Sequence, residues 1–155
     1  MVVCTHGYGR KHLEDEFRSF INDEQAVLLQ LSDKELDTVL RQAYSGAVAA
    51  IYPSIYEGFG LPVLEAMACG CPVITTPASS LPEVGGEAVL YVEPHNTLQM
   101  KIALDFIQKK QIRETFRNKG LQRVKLFTWE KMAAEMWEKI EVIALKLQHS
   151  GSVAS

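Results

Sequence analysis

The sequence predicts an α/β domain, a Rossmann-like three-layer fold in which helices cover both faces of a parallel sheet of about five strands. Short apolar runs alternate with segments whose apolar residues recur every three or four positions, the patterns of strands and amphipathic helices. The strand segments are apolar almost throughout, which is typical of parallel strands buried on both faces. In such sheets, ligands bind at the carboxyl ends of the strands.

Five segments have the composition of strands. They are short, rich in aliphatic residues, and bounded by glycine, proline or polar residues. In chain order they are 2–5, 26–30, 47–52, 72–75 and 88–92. Each is followed by a loop or a helical pattern, which favours parallel pairing through crossover connections.

Helical patterns separate these strands. They cover residues 11–22, 33–43 and 61–69, with a further helical turn in the loop 79–86. Ser32 and Glu35 form a capping box at the start of the second helix. Pro62 suits the first turn of the third helix, where its missing N–H costs nothing, and Gly70 ends that helix.

Beyond residue 92 the sequence predicts only helices. The first has the apolar stripe Leu98, Ile102, Ala103 and Phe106, and the second is marked by Ile112, Phe116 and Val124 and weakened at Gly120. Thr128 caps a last helix whose stripe is Met132, Ala133, Met136, Trp137, Ile140, Ala144 and Leu147. We therefore expect one domain over residues 1–148 and a frayed tail over 149–155.

Composition argues against several classes of function. The 155 residues suffice for one compact domain, and the formal net charge of −3 lacks the basic excess of a nucleic-acid-binding protein. No apolar run approaches the roughly 20 residues of a transmembrane helix, and no secretory signal begins the chain. Three scattered cysteines favour neither a disulfide framework nor a zinc site, so we expect no metal and a cytoplasmic location.

The most informative segment follows the third predicted strand and opens a helix. Gly58 and Gly60 flank one residue at this turn, so the backbone can take unusual dihedral angles and a ligand can approach its amides closely. The helix that follows directs free N–H groups and the positive end of its dipole toward the loop. These features predict an anion site suited to a diphosphate.

Two carboxylates bracket this loop. Glu57 precedes it and Glu65 lies eight residues later, a span of about 12 Å at most if helical. Carboxylates repel phosphates but accept hydrogen bonds from pairs of hydroxyls. The arrangement therefore suits a nucleotide sugar, whose ribose and sugar hydroxyls lie on either side of a diphosphate.

The segment from Glu57 to Glu65, which reads EGFGLPVLE, resembles the signature of the fourth family (group 1) of retaining glycosyltransferases. Those enzymes have two Rossmann-like domains, the GT-B fold. The flanking segments also resemble the family pattern: 31–36, 52–54, 65–74, 81–84 and 92–94. The resemblance covers residues 1–130 and implies that this chain is the C-terminal, donor-binding half of such an enzyme.

The resemblance implies a role for each matching residue. Backbone amides would contact the diphosphate and the donor sugar at four positions: Gly58, Phe59, Gly60 and Leu61. Glu65 would accept hydrogen bonds from the ribose, and Glu57 would contact the donor sugar near its reacting face. Leu31 and Ser32 would line the base pocket. The implied reaction is transfer of a glycosyl group with retention of configuration, without metal or cofactor besides the nucleoside-diphosphate sugar donor.

Departures from the family pattern leave alternatives open. Only 56 residues precede Glu57, and neither the basic pair that clamps the diphosphate nor the acceptor-binding N-terminal domain has a match. We therefore expect a truncated chain that is inactive alone, whose full-length form is cytoplasmic or peripheral to a membrane. A non-catalytic nucleotide-binding module and a nucleotide-sugar epimerase are the alternatives. Apolar surface left uncovered on the last helix would favour self-association.

Overall fold

The computed structural model describes the backbone of residues 2–4, 28–30 and 33–150 and the side chains of residues 37–146. The strands in these ranges are β1 (Val2–Cys4), β2 (Leu28–Gln30), β3 (Ala50–Tyr52), β4 (Val73–Thr75) and β5 (Leu90–Tyr91). The helices are α1 (Asp33–Gly46), α2 (Leu61–Ala68), α3 (Leu81–Gly85), α4 (Thr97–Ile107), α5 (Lys110–Arg123) and α6 (Trp129–Ser150), with one 3-10 turn at Val124–Leu126. The predicted helix over 11–22 lies outside the described residues, and none of the described helices is apolar over a length sufficient to cross a bilayer.

All five described strands pair in parallel, so the predicted α/β class is confirmed. They form a two-stranded sheet, β1–β2, and a three-stranded sheet in the order β3–β4–β5, rather than one continuous sheet. In the second sheet Ala50 is opposite Val73, and Ile74 is opposite Leu90. Apolar runs identify strands but not their neighbours, because crossover connections separate parallel partners along the chain.

The core occupies both faces of the β3–β4–β5 sheet, since successive side chains of a strand point to opposite sides. On one face Val73 packs in a cluster that includes Val63 of α2 and Leu81 of α3. On the other face Ile74 packs with Ile107 of α4. These five side chains are at most 1% exposed. Helices therefore cover both faces of this sheet, as predicted.

Gly120, where the sequence predicts a weak point, does not interrupt α5. The helix runs without interruption from Lys110 to Arg123, and Gly120 is buried within it. A Cβ atom at Gly120 would lie 3.2 Å from the Cγ of Met67. The glycine thus allows α5 to approach α2 closely, and this packing offsets the low helix propensity of glycine.

The predicted apolar stripe of α4 is correct only at Ala103. Leu98 and Ile102 are 67% and 58% exposed, and the helix instead buries Ala103 and Ile107. Both stripes have helical spacing, so periodicity alone does not distinguish the face that meets the sheet. The structure places Ala103 and Ile107 toward Ile74 of β4.

The last helix begins as predicted. The Thr128 hydroxyl accepts a hydrogen bond from the amide of Lys131 at 3.2 Å, which caps α6. The predicted stripe does not pack into the described core, because Met136 and Trp137 are 54% and 63% exposed. The helix extends to Ser150, one residue beyond the predicted start of the tail, and residues 151–155 lie outside the described ranges.

Candidate functional site

The loop that follows β3 is anchored to the end of the neighbouring strand. The hydroxyl of Thr75, the last residue of β4, donates to the Tyr52 carbonyl at 2.7 Å. The next residue, Thr76, donates from its hydroxyl to the Ser54 carbonyl. Both threonines are fully buried. The carboxyl ends of β3 and β4 are therefore tied together where the predicted site begins.

Gly60 sets the geometry of the turn between β3 and α2. It is the N-cap residue of α2 with φ 101°, in the left-handed region that favours glycine. A Cβ atom at this position would lie 2.9 Å from Cδ2 of Leu81. By contrast, nothing lies within 4 Å of a Cβ atom built on Gly58, which is exposed. Gly60 is thus required by its backbone conformation and by packing, whereas Gly58 leaves open space above the loop.

The turn leaves a row of backbone donors unpaired. The carbonyl of Gly60 accepts hydrogen bonds from the amides of Val63 and Leu64, at 3.0 and 3.4 Å. Within the part of the chain that the structure describes, nothing accepts a hydrogen bond from the amides of residues 58–61. Unpaired N–H groups at the first turn of a helix, where its dipole is positive, attract anions.

Glu57 is held in place by a tyrosine. The Tyr52 hydroxyl donates to Oε1 of Glu57 at 2.6 Å. Burial raises the pKa of Tyr52 above its ordinary value of 10.0, and the hydrogen bond to Glu57 raises it further. The phenol therefore stays protonated near neutral pH and can keep donating to the carboxylate.

The charge of Glu65 affects the same tyrosine that contacts Glu57. Its negative charge contributes to raising the pKa values of Tyr52 and Tyr44, after the larger effect of their burial. Glu65 is itself exposed on α2, and Glu57 is half-buried. Glu57 thus contacts the Tyr52 hydroxyl directly, and Glu65 affects the same tyrosine through its charge.

Six of the eight predicted site residues lie in the loop after β3 or on α2. They are Glu57, Gly58, Phe59, Gly60, Leu61 and Glu65. The side chain of Phe59 packs edge-on against Phe127, with ring centroids 6.1 Å apart. The other two, Leu31 and Ser32, lie outside the described residues.

Sequence reasoning missed the polar residues that support the loop. Tyr52, Ser79 and Ser80 all contact the segment from Glu57 to Phe59 through their hydroxyls. The serines follow β4, whose carboxyl end adjoins that of β3. Ligands of parallel sheets bind at adjoining strand ends, so the place of the two serines just after a predicted strand could have identified them.

Comparisons with known proteins agree on one family. Residues 1–123 match the family model described as glycosyl transferases group 1. The chain is 43% identical over 95 residues to O-antigen chain mannosyltransferase B of Escherichia coli, covering 61% of this chain and 25% of that protein. It is 36% identical over 110 residues to MMP alpha-(1->4)-mannosyltransferase of Mycolicibacterium hassiacum, covering 68% of this chain and 26% of that protein.

The fold comparison extends over nearly the whole chain. Sucrose-phosphate synthase from Thermosynechococcus elongatus superposes with a TM-score of 0.75 at 26% identity, covering 93% of this chain and 38% of that one. The pneumococcal O-GlcNAc transferase GtfA superposes with a TM-score of 0.65 at 17% identity, which supports the fold alone. In the sequence comparisons, the chain spans about a quarter of the length of the two mannosyltransferases.

Proposed function

We propose that this chain, which belongs to the glycosyl transferases group 1 family, binds the nucleoside-diphosphate sugar donor of a retaining glycosyltransferase. The observation that carries the proposal is the row of unpaired amides at residues 58–61, at the front of α2, in a segment that has Glu57 at one end and Glu65 at the other. This combination of donors for a diphosphate and acceptors for hydroxyls matches the two chemical parts of a nucleotide sugar.

The amides of Gly58, Phe59, Gly60 and Leu61 would bind the diphosphate. Hydrogen bonds to a charged group contribute about 1.5–3 kcal/mol each. These donors would also stabilise the charge that develops on the leaving diphosphate as the bond to the sugar breaks, so transfer needs no metal or further cofactor. The exposed position of Gly58 leaves room for a phosphate to reach the amides.

The carboxylates would bind hydroxyls on either side. Glu65, exposed on α2, would accept hydrogen bonds from the ribose. Glu57 would contact the donor sugar through Oε2, because the Tyr52 hydroxyl occupies Oε1. One carboxylate would thus bind the nucleoside end of the ligand, and the other would bind its sugar end.

The names of the relatives favour mannose as the transferred sugar. Both relatives described above are named as mannosyltransferases, and the E. coli protein shares 43% identity over 95 residues. The proposed donor is therefore a nucleoside-diphosphate mannose. Since this chain spans about a quarter of those proteins, transfer itself would also need an acceptor-binding part.

Isothermal titration calorimetry of the 155-residue chain would test the donor site. We expect a lower Kd for GDP-mannose, used as the mannose probe, than for GDP-glucose or UDP-glucose, and the comparison with GDP-glucose changes only the sugar. Glu65→Ala should raise Kd roughly thirtyfold, because it removes about 2 kcal/mol of hydrogen bonding to the ribose. Glu114→Ala, an equally exposed change on α5, serves as the control and should leave Kd unchanged. Absence of binding to all three ligands at millimolar concentration would contradict the proposal.

A further inference from the structure

We propose that Ser79 and Ser80 are positioning residues. They orient the glycine loop, residues 57–61, so that its backbone amides face the ligand. This inference rests on the function proposed above, and it assigns the two serines a part in building the diphosphate site. Both lie in the short loop between β4 and α3, on a different segment of the chain from the loop they contact.

Each serine holds one carbonyl of the glycine loop. The Ser79 hydroxyl donates to the Glu57 carbonyl at 2.6 Å. The Ser80 hydroxyl lies 2.8 Å from the Phe59 carbonyl and 3.3 Å from that of Glu57, so its single proton goes to Phe59. The two hydroxyls thus fix the peptide group that joins Glu57 to Gly58 and the one that joins Phe59 to Gly60.

Fixing a carbonyl also fixes the amide of the following residue. A trans peptide is planar, and its C=O and N–H point in opposite directions. With the Glu57 carbonyl turned toward Ser79, the Gly58 N–H points away from the serines. The same holds for Gly60 when the Phe59 carbonyl is held by Ser80. Glycine would otherwise let these peptides rotate freely.

The serines give up ordinary arrangements to make these contacts. Ser80 is the N-cap residue of α3, where a serine hydroxyl usually accepts from an amide of the first turn, yet its side chain caps nothing. Ser79 has φ 53°, a left-handed conformation that is costly for a residue other than glycine. Such strain persists where the surrounding structure requires it, and it is found at functional sites.

The conformation of Ser79 provides a variant that should fold well. Ser79→Gly removes the hydroxyl but suits the left-handed backbone, so we expect stability to be kept while the hydrogen bond is lost. Ser80→Ala removes the other hydroxyl. Ser54→Ala is the matched control, because the Ser54 hydroxyl also donates to a backbone carbonyl, that of Tyr56 at 3.1 Å.

Nuclear magnetic resonance on the isotopically labelled 155-residue chain measures the loop without any ligand. In Ser80→Ala we expect the carbonyl carbon of Phe59 to shift upfield and the amide nitrogen of Gly60, in the same peptide group, to change its chemical shift. Ser79→Gly should have the same effects at Glu57 and Gly58, whereas Ser54→Ala should leave all four signals in place. Unchanged signals in both serine variants would overturn the proposal.

Titration with inorganic pyrophosphate and GDP adds the functional readout. Each serine variant should raise the Kd about tenfold, with thermal unfolding close to that of the parent protein. Altered loop signals with an unchanged Kd would overturn the positioning role. If the parent protein binds neither probe, the nucleotide-binding proposal fails for this chain, and the resonance shifts alone then decide whether the serines orient the loop.

Discussion

The glycine loop after β3 and the last helix, α6, both expose apolar side chains, but they are fixed in different ways. Hydroxyls of Thr76, Ser79 and Ser80 reach the loop from a segment more than twenty positions away. In α6, Trp137 donates instead to Glu141, four positions along the same helix. Long-range hydrogen bonds impose one backbone conformation on the loop, whereas local ones stabilise a helix without fixing what covers it.

The largest effect should come from the residue that the loop geometry depends on most. Gly60→Ala should destabilise the protein by about 3 kcal/mol, through the left-handed conformation and the close approach to Leu81. Gly58→Ala is the matched control and should cost about 0.5 kcal/mol or less, because its Cβ would enter open space. Urea denaturation followed by circular dichroism measures both. Equal losses of stability would show that the loop is not fixed as described.

A smaller effect is expected at Tyr52, which links the end of β3 to Glu57 in the loop. Tyr52→Phe should lower stability by about 1 kcal/mol at pH 8, because it removes the hydrogen bond to the carboxylate. Binding of the donor should also weaken, since the Glu57 carboxylate loses the contact that orients it. Calorimetric titration at pH 8 would detect that change, and a Kd equal to that of the parent protein would remove Tyr52 from the site.

The same variant has a signature in the dependence of stability on pH. The pKa of Tyr52 is raised above 10.0 in the folded protein, so above pH 10.0 the unfolded chain loses a proton that the folded chain retains. Stability should therefore fall as pH increases past this value. Tyr44 and Tyr91, whose pKa values are also raised, contribute to the same fall. Tyr52→Phe should reduce the slope without abolishing it, and a slope identical to that of the parent protein would contradict the assignment.

The sequence was sufficient where a local pattern determines structure. The two loop glycines, Pro62 and Gly70 predicted α2 and its loop, and the structure places that helix at Leu61–Ala68. Information that depends on distant segments was not available. Periodicity could not choose between the two faces of α4, nor reveal that Gly120 packs on Met67. The hydroxyl contacts of Ser79 and Ser80 arise only because β3 and β4 are neighbours.

The smallest change in stability is expected on α6, where the contrast with the loop is sharpest. Met136 and Trp137 are more than half exposed, so the double substitution Met136→Gln and Trp137→Gln should alter the free energy of unfolding by about 0.5 kcal/mol or less. Its effect should appear in association, because an uncovered apolar surface promotes contact between copies. Sedimentation velocity over a range of concentrations should show the parent protein forming dimers or larger species, and the variant shifting toward monomer.

Glu138→Gln, an exposed polar change on the same helix, should leave both stability and association as they are. If the double substitution instead cost about 2 kcal/mol or more, the apolar side chains would have to be packed within the domain. A parent protein that stays monomeric at every concentration would show that this surface does not promote self-association. Because Met136 and Trp137 are exposed whereas the loop is held by hydroxyls from a distant segment, only the loop variants should change both stability and ligand binding.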